Sequence, residues 1–330
     1  MSSTVLDVPT LETLVSAAVA APSIHNTQPW HFRLDPDTVT LEIRAAASRG
    51  LRHTDPTGRA LHLSVGCALL NLRIAVAHFG WEPVTRLLPS PAEPDLLATV
   101  RFGGTARTSR PHLYDVLWRR YSSRFPFSER PLPTAVLTEL AEAAHAEGAL
   151  LSRPSPGETD RLLRITREAE RRNTADPERA TESRRWVHEP DRTGLGMRPE
   201  TLGPQDFREQ VPMRDFGAHR HPAILTARPF EKRPTIAVLS TAHDRRTDWL
   251  RAGQALERVL LVATVHGIRA SLLHQALEWP DLREQLGPLP SDRRDHAQMV
   301  VRLGYGPEGP SSPRRAARQV LVDGAPSAPC

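Results

Sequence analysis

One short stretch of this sequence concentrates side chains that donate and accept hydrogen bonds. Residues 21–30 are Ala-Pro-Ser-Ile-His-Asn-Thr-Gln-Pro-Trp, with five polar side chains between Ser23 and Gln28. An amide side chain carries both a donor and an acceptor, so this loop suits the edge of a flat heterocycle. The alternative is a loop whose polar side chains satisfy only their own backbone. His25 is a candidate proton donor under the first interpretation and a structural side chain under the second.

A second stretch combines arginines with hydroxyl groups. Arg119, Arg120 and Arg124 flank Ser122 at the end of a helix predicted over 112–121. Guanidinium forks next to a serine hydroxyl favour a phosphate site. The alternative is an ordinary basic helix terminus, where cations meet the negative end of the helix dipole.

A third stretch follows a strand predicted over 297–303. A Gly-Tyr-Gly sequence begins at Gly304, and a Pro-Arg-Arg sequence then supplies Arg314 and Arg315. Paired arginines after a strand suit an anion site, and the alternative is a solvated basic tail.

Regular elements must position these stretches. A predicted helix over 10–20 is stopped by Pro22, and strands over 30–34 and 38–44 follow, so the first polar stretch lies between a helix and a strand. Residues 189–233 are rich in Pro, Gly, Arg and His and lack periodicity. Such a long segment is either a functional lid or an unstructured excursion.

Two apolar helices share a sequence pattern. A Gly-x-Ala-Leu sequence begins at Gly66 and again at Gly253, and each is followed by a long apolar run that ends in glycine. Helices that are apolar nearly all round are buried. The pattern indicates either two unrelated core helices or two copies of one domain in a single chain.

The composition limits the class of protein. The chain has 330 residues and a formal charge of +5, and Lys232 is its single lysine. The arginines are interleaved with acids, which is typical of a solvated helix face and argues against a nucleic-acid partner.

Two cysteines, Cys67 and Cys330, are too few for a disulfide framework or a four-thiolate zinc site, so we predict no metal. No run of 18 apolar residues or secretory leader is evident, so we expect a cytoplasmic protein with no membrane partner.

Together the three stretches resemble the nitroreductase superfamily of FMN proteins. The Pro22-Ser23-x-x-Asn26 pattern before Gln-Pro-Trp is similar to that family's flavin loop. The Arg119-Arg120-x-Ser sequence is similar to its phosphate signature, and a glycine-led helix and a Pro-Arg-Arg tail follow in the family's order.

The order of these elements departs from the usual family pattern. The Arg-Arg-Ser sequence follows the flavin loop here, whereas in the family it normally precedes it. This arrangement resembles the Acg-type subfamily, in which two nitroreductase-like domains are fused and one flavin site is lost. The resemblance implies an α+β fold of two related domains forming a pseudo-dimer, with mixed, mainly antiparallel sheets wrapped by helices. We place the domains at 1–108, with the flavin-ring loop, and at 109–330, with the phosphate-binding elements and a lid over 189–233.

The resemblance also implies which residues bind FMN. It places Arg120, Ser122, Arg314 and Arg315 at the phosphate, and Arg124 near the ribityl chain or the pyrimidine edge. It places Pro22, Ser23 and Asn26 at the ring, and His274 and Gln275 at a backbone contact near the flavin N5 atom. The full predicted cofactor site comprises Pro22, Ser23, Asn26, Gln28, Arg119, Arg120, Ser122, Arg124, His274, Gln275, Arg314 and Arg315.

The resemblance implies an oxidoreductase that takes hydride from NADPH or NADH and reduces a nitroaromatic, a quinone or a similar small molecule. No catalytic side chain is assigned, because the flavin carries the redox chemistry. The alternative is a protein that sequesters FMN beneath the predicted lid, where Trp186, Phe207 and Phe216 could cap the ring. Because the fusion already joins two halves, we expect a monomer or a homodimer.

Overall fold

The computed structural model describes residues 6–105, 111–189, 193–217, 226–287 and 295–322. The first half begins with a helix whose cap is Asp7, since its carboxylate accepts a hydrogen bond from the amide of Thr10 at 2.9 Å. The elements of this half are α1 (Val8–Val19), β1 (Trp30–Asp35), β2 (Thr40–Ala45), α2 (Arg59–His78), β3 (Trp81–Leu87) and β4 (Leu96–Thr105). The four strands pair antiparallel in the order β1-β2-β4-β3.

The second half repeats this organisation. Its elements are α3 (Pro111–Asp115), α4 (Thr134–His145), β5 (Leu150–Ser152), α5 (Pro156–Ala175), α6 (Pro177–Arg185), β6 (Thr235–Thr241), α7 (Arg246–Val265), β7 (Arg269–Leu272), α8 (Pro280–Gln285) and β8 (His296–Gly304). Its strands pair antiparallel in the order β5-β6-β8-β7. Numbered within each half, both sheets have the order 1-2-4-3, and α2 and α7 each connect the second strand to the third. The α+β class predicted from the sequence is confirmed.

The two helices that contain the Gly-x-Ala-Leu sequences form the centre of the molecule. Helices α2 and α7 are both 20 residues long and both are buried along most of their length. Helix α2 is long and apolar enough to cross a membrane, but 78% of its apolar window is buried inside the protein. Among the described residues it is the one helix that meets this criterion, and its burial against α7 is typical of a core helix.

A partly buried carboxylate fixes where α2 begins. The two carboxylate oxygens of Asp55 accept hydrogen bonds from the amides of Ala60 and Leu61, at 3.0 and 2.8 Å. These amides belong to the first turn of the helix, which has no earlier carbonyl partner for them. Burial raises the pKa of Asp55 to about 6. The Asp55 contact therefore orients the helix whose next residues line a cavity.

Two sequence predictions differ from the fold or lie outside it. The helix predicted over 112–121 ends at Asp115, and the chain continues through turns to Arg119. This early end leaves Arg120 and the residues after it in irregular backbone that can approach a cavity. The domain boundary predicted between residues 108 and 109 lies outside the described residues and stays a prediction.

Candidate functional site

The polar stretch between α1 and β1 has an unusual backbone. His25, Asn26 and Gln28 have φ values of 47°, 54° and 46°, in the left-handed region that residues other than glycine rarely adopt. Hydrogen bonds from the amide of Gln28 to Ser23 Oγ and from the amide of Ile24 to Ser64 Oγ, at 2.9 and 3.2 Å, hold the loop. Strained backbone of this kind persists only where its surroundings determine it, and it is concentrated at ligand sites.

The loop separates two cavities that share a wall. We call them the arginine cavity and the apolar cavity, with about 770 and 850 Å³ of space that includes the solvent at their open mouths. Both are lined by Pro22, Ser23, Ser122 and Arg124, so the two spaces meet at these four residues. The two adjoining cavities differ in chemistry, since arginines line one and mainly apolar side chains line the other.

The arginine cavity holds a guanidinium with an unused donor. Arg120 is buried and donates from Nη2 to the carbonyl of Ala20 at 3.2 Å, but its Nη1 has no hydrogen-bond partner among the described residues. Its Nε lies 3.3 Å from Oε1 of the buried Glu257 on α7. A buried donor without a partner indicates a place for an anion.

Arg314 closes the same cavity from the C-terminal stretch. Its guanidinium donates to Asn26 Oδ1 at 3.0 Å and to the carbonyl of Ala20 at 3.3 Å. Burial first, and then repulsion by Arg120, lower the pKa of Arg314 to about 9. Burial raises the pKa of Glu257 to about 7, although the nearby Arg120 opposes the rise. The cavity is therefore cationic at neutral pH, and an anion would relieve the repulsion between the two arginines.

Arg124 lies where the two cavities meet. It donates to the carbonyl of Thr201 at 3.0 Å and contacts Met197 Sδ at 3.5 Å, and its guanidinium lies 5.0 Å from the ring centre of Phe216. Burial and repulsion by Arg214 lower its pKa to about 10, so it stays charged. A cation at this junction can neutralise charge on either end of an elongated ligand.

The walls of the apolar cavity come from both halves of the molecule. They include Leu63 and Cys67 of α2, Leu256 of α7, Leu272 of β7 and Met299 of β8. His25 is 5% exposed, lines this cavity, and has no hydrogen-bond partner at either ring nitrogen among the described residues. Apolar walls with a few polar groups are typical of a site for a flat ligand.

His274 also lines the apolar cavity, but both of its nitrogens are used. Nε2 lies 2.9 Å from Arg59 Nη2, and because a guanidinium only donates, Nε2 must accept. Nδ1 therefore carries the proton and donates to Glu278 Oε1 at 2.9 Å. Burial lowers the pKa of His274, so the ring is neutral and has no proton free for a ligand. Gln275 is buried and donates to the carbonyl of Pro212 at 3.1 Å.

Glu278 is the centre of a buried charge network below this cavity. It pairs with Arg214, accepts from Asn173 Nδ2 at 3.1 Å, and lies 3.6 Å from Arg179. Burial alone would raise the pKa of Glu278, but Arg214 and the hydrogen bond from His274 hold it at about 2. The carboxylate is therefore ionised and fully paired, and it positions its neighbours.

Residues 193–217, which we call the cover segment, lie over the polar loop. Asn26 Nδ2 donates to the carbonyl of Gly196, and Gln28 Nε2 donates to the carbonyl of Gly194, both at 2.6 Å. The cover segment contributes Met213, Arg214 and Phe216 to the wall of the apolar cavity. It forms an ordered wall that is fastened to the loop by side-chain amides.

The structure brings most of the predicted cofactor residues to the two cavities. Nine of the twelve line one cavity or both: Pro22, Ser23, Asn26, Arg120, Ser122, Arg124, His274, Gln275 and Arg314. Their predicted contacts with FMN stay predictions.

Three predicted residues do not line either cavity. Arg119 is exposed, whereas the next residue, Arg120, is buried. Gln28 is buried between the cover segment and the tail, where its Oε1 accepts from the amide of Arg315 at 3.0 Å. The half-buried side chain of Arg315 donates to the carbonyl of Gln319 and lines neither cavity.

Of the three aromatic residues predicted to cap a ring, Phe216 lines the apolar cavity. Trp186 lines a separate surface groove, and Phe207 is 60% exposed.

Sequence reasoning missed Glu257 and the network of Arg59, Arg214 and Glu278. The sequence could have indicated Glu257, because an acid in the apolar part of a helix predicts a buried partner. The pairing of Arg214 with Glu278 had no sequence signal, because the two residues lie far apart in the chain and only the fold brings them together.

Comparison with known proteins identifies the family. The sequence profile of the nitroreductase family matches residues 117–305. A Mycobacterium tuberculosis H37Rv protein with the provisional name NAD(P)H nitroreductase is 31% identical over 326 residues, which cover 96% of this chain and 92% of the relative. The acg protein of the same strain, with the same provisional name, is 28% identical over 332 residues, which cover 97% of this chain and 98% of the relative. The chain therefore belongs to the nitroreductase family.

Solved nitroreductase structures give more distant matches. One from Bacteroides fragilis, with bound FMN, is 18% identical with a TM-score of 0.36, and the match covers 62% of this chain and 91% of that one. Another from Anabaena variabilis is 12% identical with a TM-score of 0.40, and the match covers 92% of this chain and 74% of that one.

Proposed function

We propose that this protein binds FMN across the two adjoining cavities and acts as an NAD(P)H-dependent oxidoreductase. Its acceptor would be a small molecule such as a nitroaromatic or a quinone. The observation that carries the proposal is the contrast between the two adjoining cavities, with Arg120 and Arg314 lining one and mainly apolar side chains lining the other. FMN has the same division, since a phosphate lies at one end and a flat conjugated ring at the other. Family membership and the provisional names of the mycobacterial relatives support it.

The arginine cavity fits the phosphate of FMN. Arg120 offers the unpartnered Nη1 donor, and Arg314 and the Ser122 hydroxyl line the same space. Bidentate and charge-assisted hydrogen bonds from arginine are the usual way in which proteins hold a phosphate. In this proposal Arg119 and Arg315 contribute long-range charge to the phosphate but no direct contact.

The apolar cavity would enclose the ring. The bound flavin supplies hydride transfer, and the residues around it supply position and electrostatics. Leucine and methionine walls exclude water, while Arg124 places a positive charge where the ring would meet the side chain of the cofactor. His274 is neutral and fully hydrogen-bonded, so its part is to fix the wall between Arg59 and Glu278.

The alternative function is storage or sequestration of FMN, and the cover segment is the observation that favours it. Phe216 is 4% exposed and lies in the cavity wall, and the segment that carries it is hydrogen-bonded to Asn26 and Gln28. A cover held in this way would keep a nicotinamide from the ring unless it opened. The two functions therefore differ in whether the cover opens at a useful rate.

Anaerobic reduction of the FMN-loaded protein separates the two functions. If the protein is an oxidoreductase, NADPH or NADH bleaches the flavin absorption band within seconds, and a nitroaromatic or quinone restores it. If the protein sequesters FMN, the band is present but persists with both reductants, while dithionite still bleaches it. A protein that binds no FMN under any loading condition contradicts both functions.

The remaining expectations follow from the same proposal. The partner is a small molecule, with no part for nucleic acid or a membrane surface, and the site of action is the cytoplasm. The repeated strand order of the two halves supports the origin of the chain as a fused pair of nitroreductase-like domains. Because a complete pair of cavities lies within one chain, a monomer suffices for the site, and a homodimer would be a further assembly.

A further inference from the structure

His25 is a buried polar side chain whose hydrogen-bonding capacity the protein does not use. Of the buried side chains left with unpartnered polar atoms in the described part of the chain, two line the adjoining cavities. Arg120 is one, at the phosphate end, and His25 is the other, in the apolar cavity. Burial of polar groups without hydrogen bonds is uncommon in native proteins and costs free energy. The proposed phosphate accounts for Arg120, but it does not reach the apolar cavity and leaves His25 unexplained.

The backbone at His25 supports a functional reason for this arrangement. His25 has a φ of 47°, followed by a φ of 54° at Asn26, so two successive residues are in the left-handed region. The loop is nevertheless fixed, because Asn26 is hydrogen-bonded to the cover segment and the amide of Ile24 to Ser64. An imidazole that only filled space would not require a strained loop to direct it at a cavity.

The charges around His25 decide which form of the ring faces the cavity. Burial, and then repulsion by Arg214, place the pKa of His25 well below its usual value, and Arg124 and His274 act in the same direction. Glu278 opposes this, but it is already paired with Arg214 and His274. The imidazole is therefore neutral at physiological pH, and it has one N–H donor and one nitrogen acceptor.

Its neighbours restrict the shape of what it can bind. The ring centres of His25 and Phe216 are 5.2 Å apart with an interplanar angle of 73°, so the two rings pack edge to face. Leu63 and Leu256 belong to the same cavity wall. A flat conjugated molecule fits between such surfaces, and its polar edge would meet the imidazole.

We propose that His25 recognises the ligand of the apolar cavity by a hydrogen bond to an oxygen or nitrogen at the edge of a flat conjugated ring. This inference rests on the proposed function, and it assigns to that site a specificity residue. Two ligands have the required chemistry: the flavin ring itself, and a nitro compound or quinone bound beside it. In either case the imidazole acts by binding, and it is not required to transfer a proton.

The test uses a matched pair of substitutions, His25→Asn and His25→Leu. The two side chains are similar in size, but asparagine keeps a donor and an acceptor and also tolerates the left-handed backbone. Riboflavin titration of the flavin-free protein, followed by flavin fluorescence, measures recognition of the ring without the phosphate. Titration of the FMN-loaded protein with p-nitrobenzoate, followed by the change in the flavin spectrum, measures recognition of an acceptor.

We expect His25→Leu to weaken one of these affinities by about 10-fold, while His25→Asn stays within about 3-fold of the unsubstituted protein. Loss of riboflavin affinity identifies the flavin as the ligand, and loss of p-nitrobenzoate affinity alone identifies the acceptor. If both affinities survive in His25→Leu, or if both variants lose them equally, the inference is wrong. Thermal melting of both variants separates weakened binding from incomplete folding, because only the folded fraction is titrated. If the unsubstituted protein bound neither FMN nor riboflavin, the proposed function would fail, and this inference with it.

Discussion

Gly66 of α2 and Gly253 of α7 lie against each other where the two central helices cross. A Cβ added to Gly66 would lie 2.9 Å from the Cα of Gly253 and 2.3 Å from the carbonyl oxygen of Leu250. A Cβ added to Gly253 would meet the carbonyl oxygen of Leu63 at 2.1 Å. Each glycine is the eighth residue of its helix, so the sequence repeat and the spatial contact coincide. The crossing places Leu63, Cys67 and Leu256 around one cavity.

Gly66→Ala is therefore expected to destabilise the protein by about 3 kcal/mol, since the obstacle is backbone and cannot rotate away. Denaturant unfolding measures the change. The control is Gly157→Ala in α5, where nothing lies within 4 Å of the added Cβ. That substitution is expected to be neutral or to stabilise by up to about 1 kcal/mol, because it lowers the entropy of the unfolded chain. Equal stability of the two variants would contradict the close helix crossing.

The sequence predicted the helix crossing only in part. The repeated Gly-x-Ala-Leu pattern at Gly66 and Gly253 indicated two buried helices and allowed two related halves. It did not show that the two copies touch, because contact depends on how each helix is oriented by its own sheet. The predicted helix over 112–121 was too long, since the chain leaves the helix after Asp115 and enters turns that bury Arg120. Helical periodicity alone could not show this.

Gln28→Glu is expected to loosen the cover segment. It removes the donor to the carbonyl of Gly194 and keeps an acceptor for the amide of Arg315. Iodide quenching of bound flavin should increase, and FMN should dissociate faster, each by about 5-fold or more, because a hydrogen bond is replaced by a repulsive contact. Reduction by NADPH should also accelerate if the cover limits access to the ring.

The control for this variant is Gln210→Glu, which introduces the same charge at an exposed position of the cover segment. It should leave quenching and release within about 2-fold of the unsubstituted protein, since an exposed charge is screened by solvent. The same response in both variants would show that charge, and not the hydrogen bond to Gly194, controls the cover.

FMN affinity should rise as pH falls from 8 to 6.5, because the pKa of Glu257 is raised to about 7 by burial. At pH 8 the carboxylate is ionised and competes with the phosphate for Arg120. A bound phosphate raises that pKa further, so binding takes up a proton and is favoured at the lower pH. We expect an increase of about 3- to 10-fold, measured by fluorescence titration. Glu257→Gln should abolish the dependence, whereas a dependence that survives would assign it to another group.

Many of the residues that line the two cavities could be selected from local sequence, but their tertiary hydrogen-bond partners could not. Arginine pairs and the Pro-Ser-x-x-Asn pattern are local in sequence, so the residues that line the cavities could be found by inspection. The partners of Asn26 and Gln28 could not, because they are carbonyl groups of Gly194 and Gly196, far along the chain. A backbone carbonyl leaves no signature in the sequence, and only the fold showed that these amides fasten the cover segment.

The most direct test of the account compares FMN with riboflavin, which lacks the phosphate, in binding to the unsubstituted protein, Arg314→Gln and Arg119→Gln. Because Arg314 lines the arginine cavity, its loss should weaken FMN binding by about 30-fold and change riboflavin binding by no more than about 3-fold. The exposed Arg119 is the matched control, and its loss should change neither affinity by more than about 3-fold. If Arg314→Gln weakened both ligands equally, or neither, the arginine cavity would not be the phosphate site.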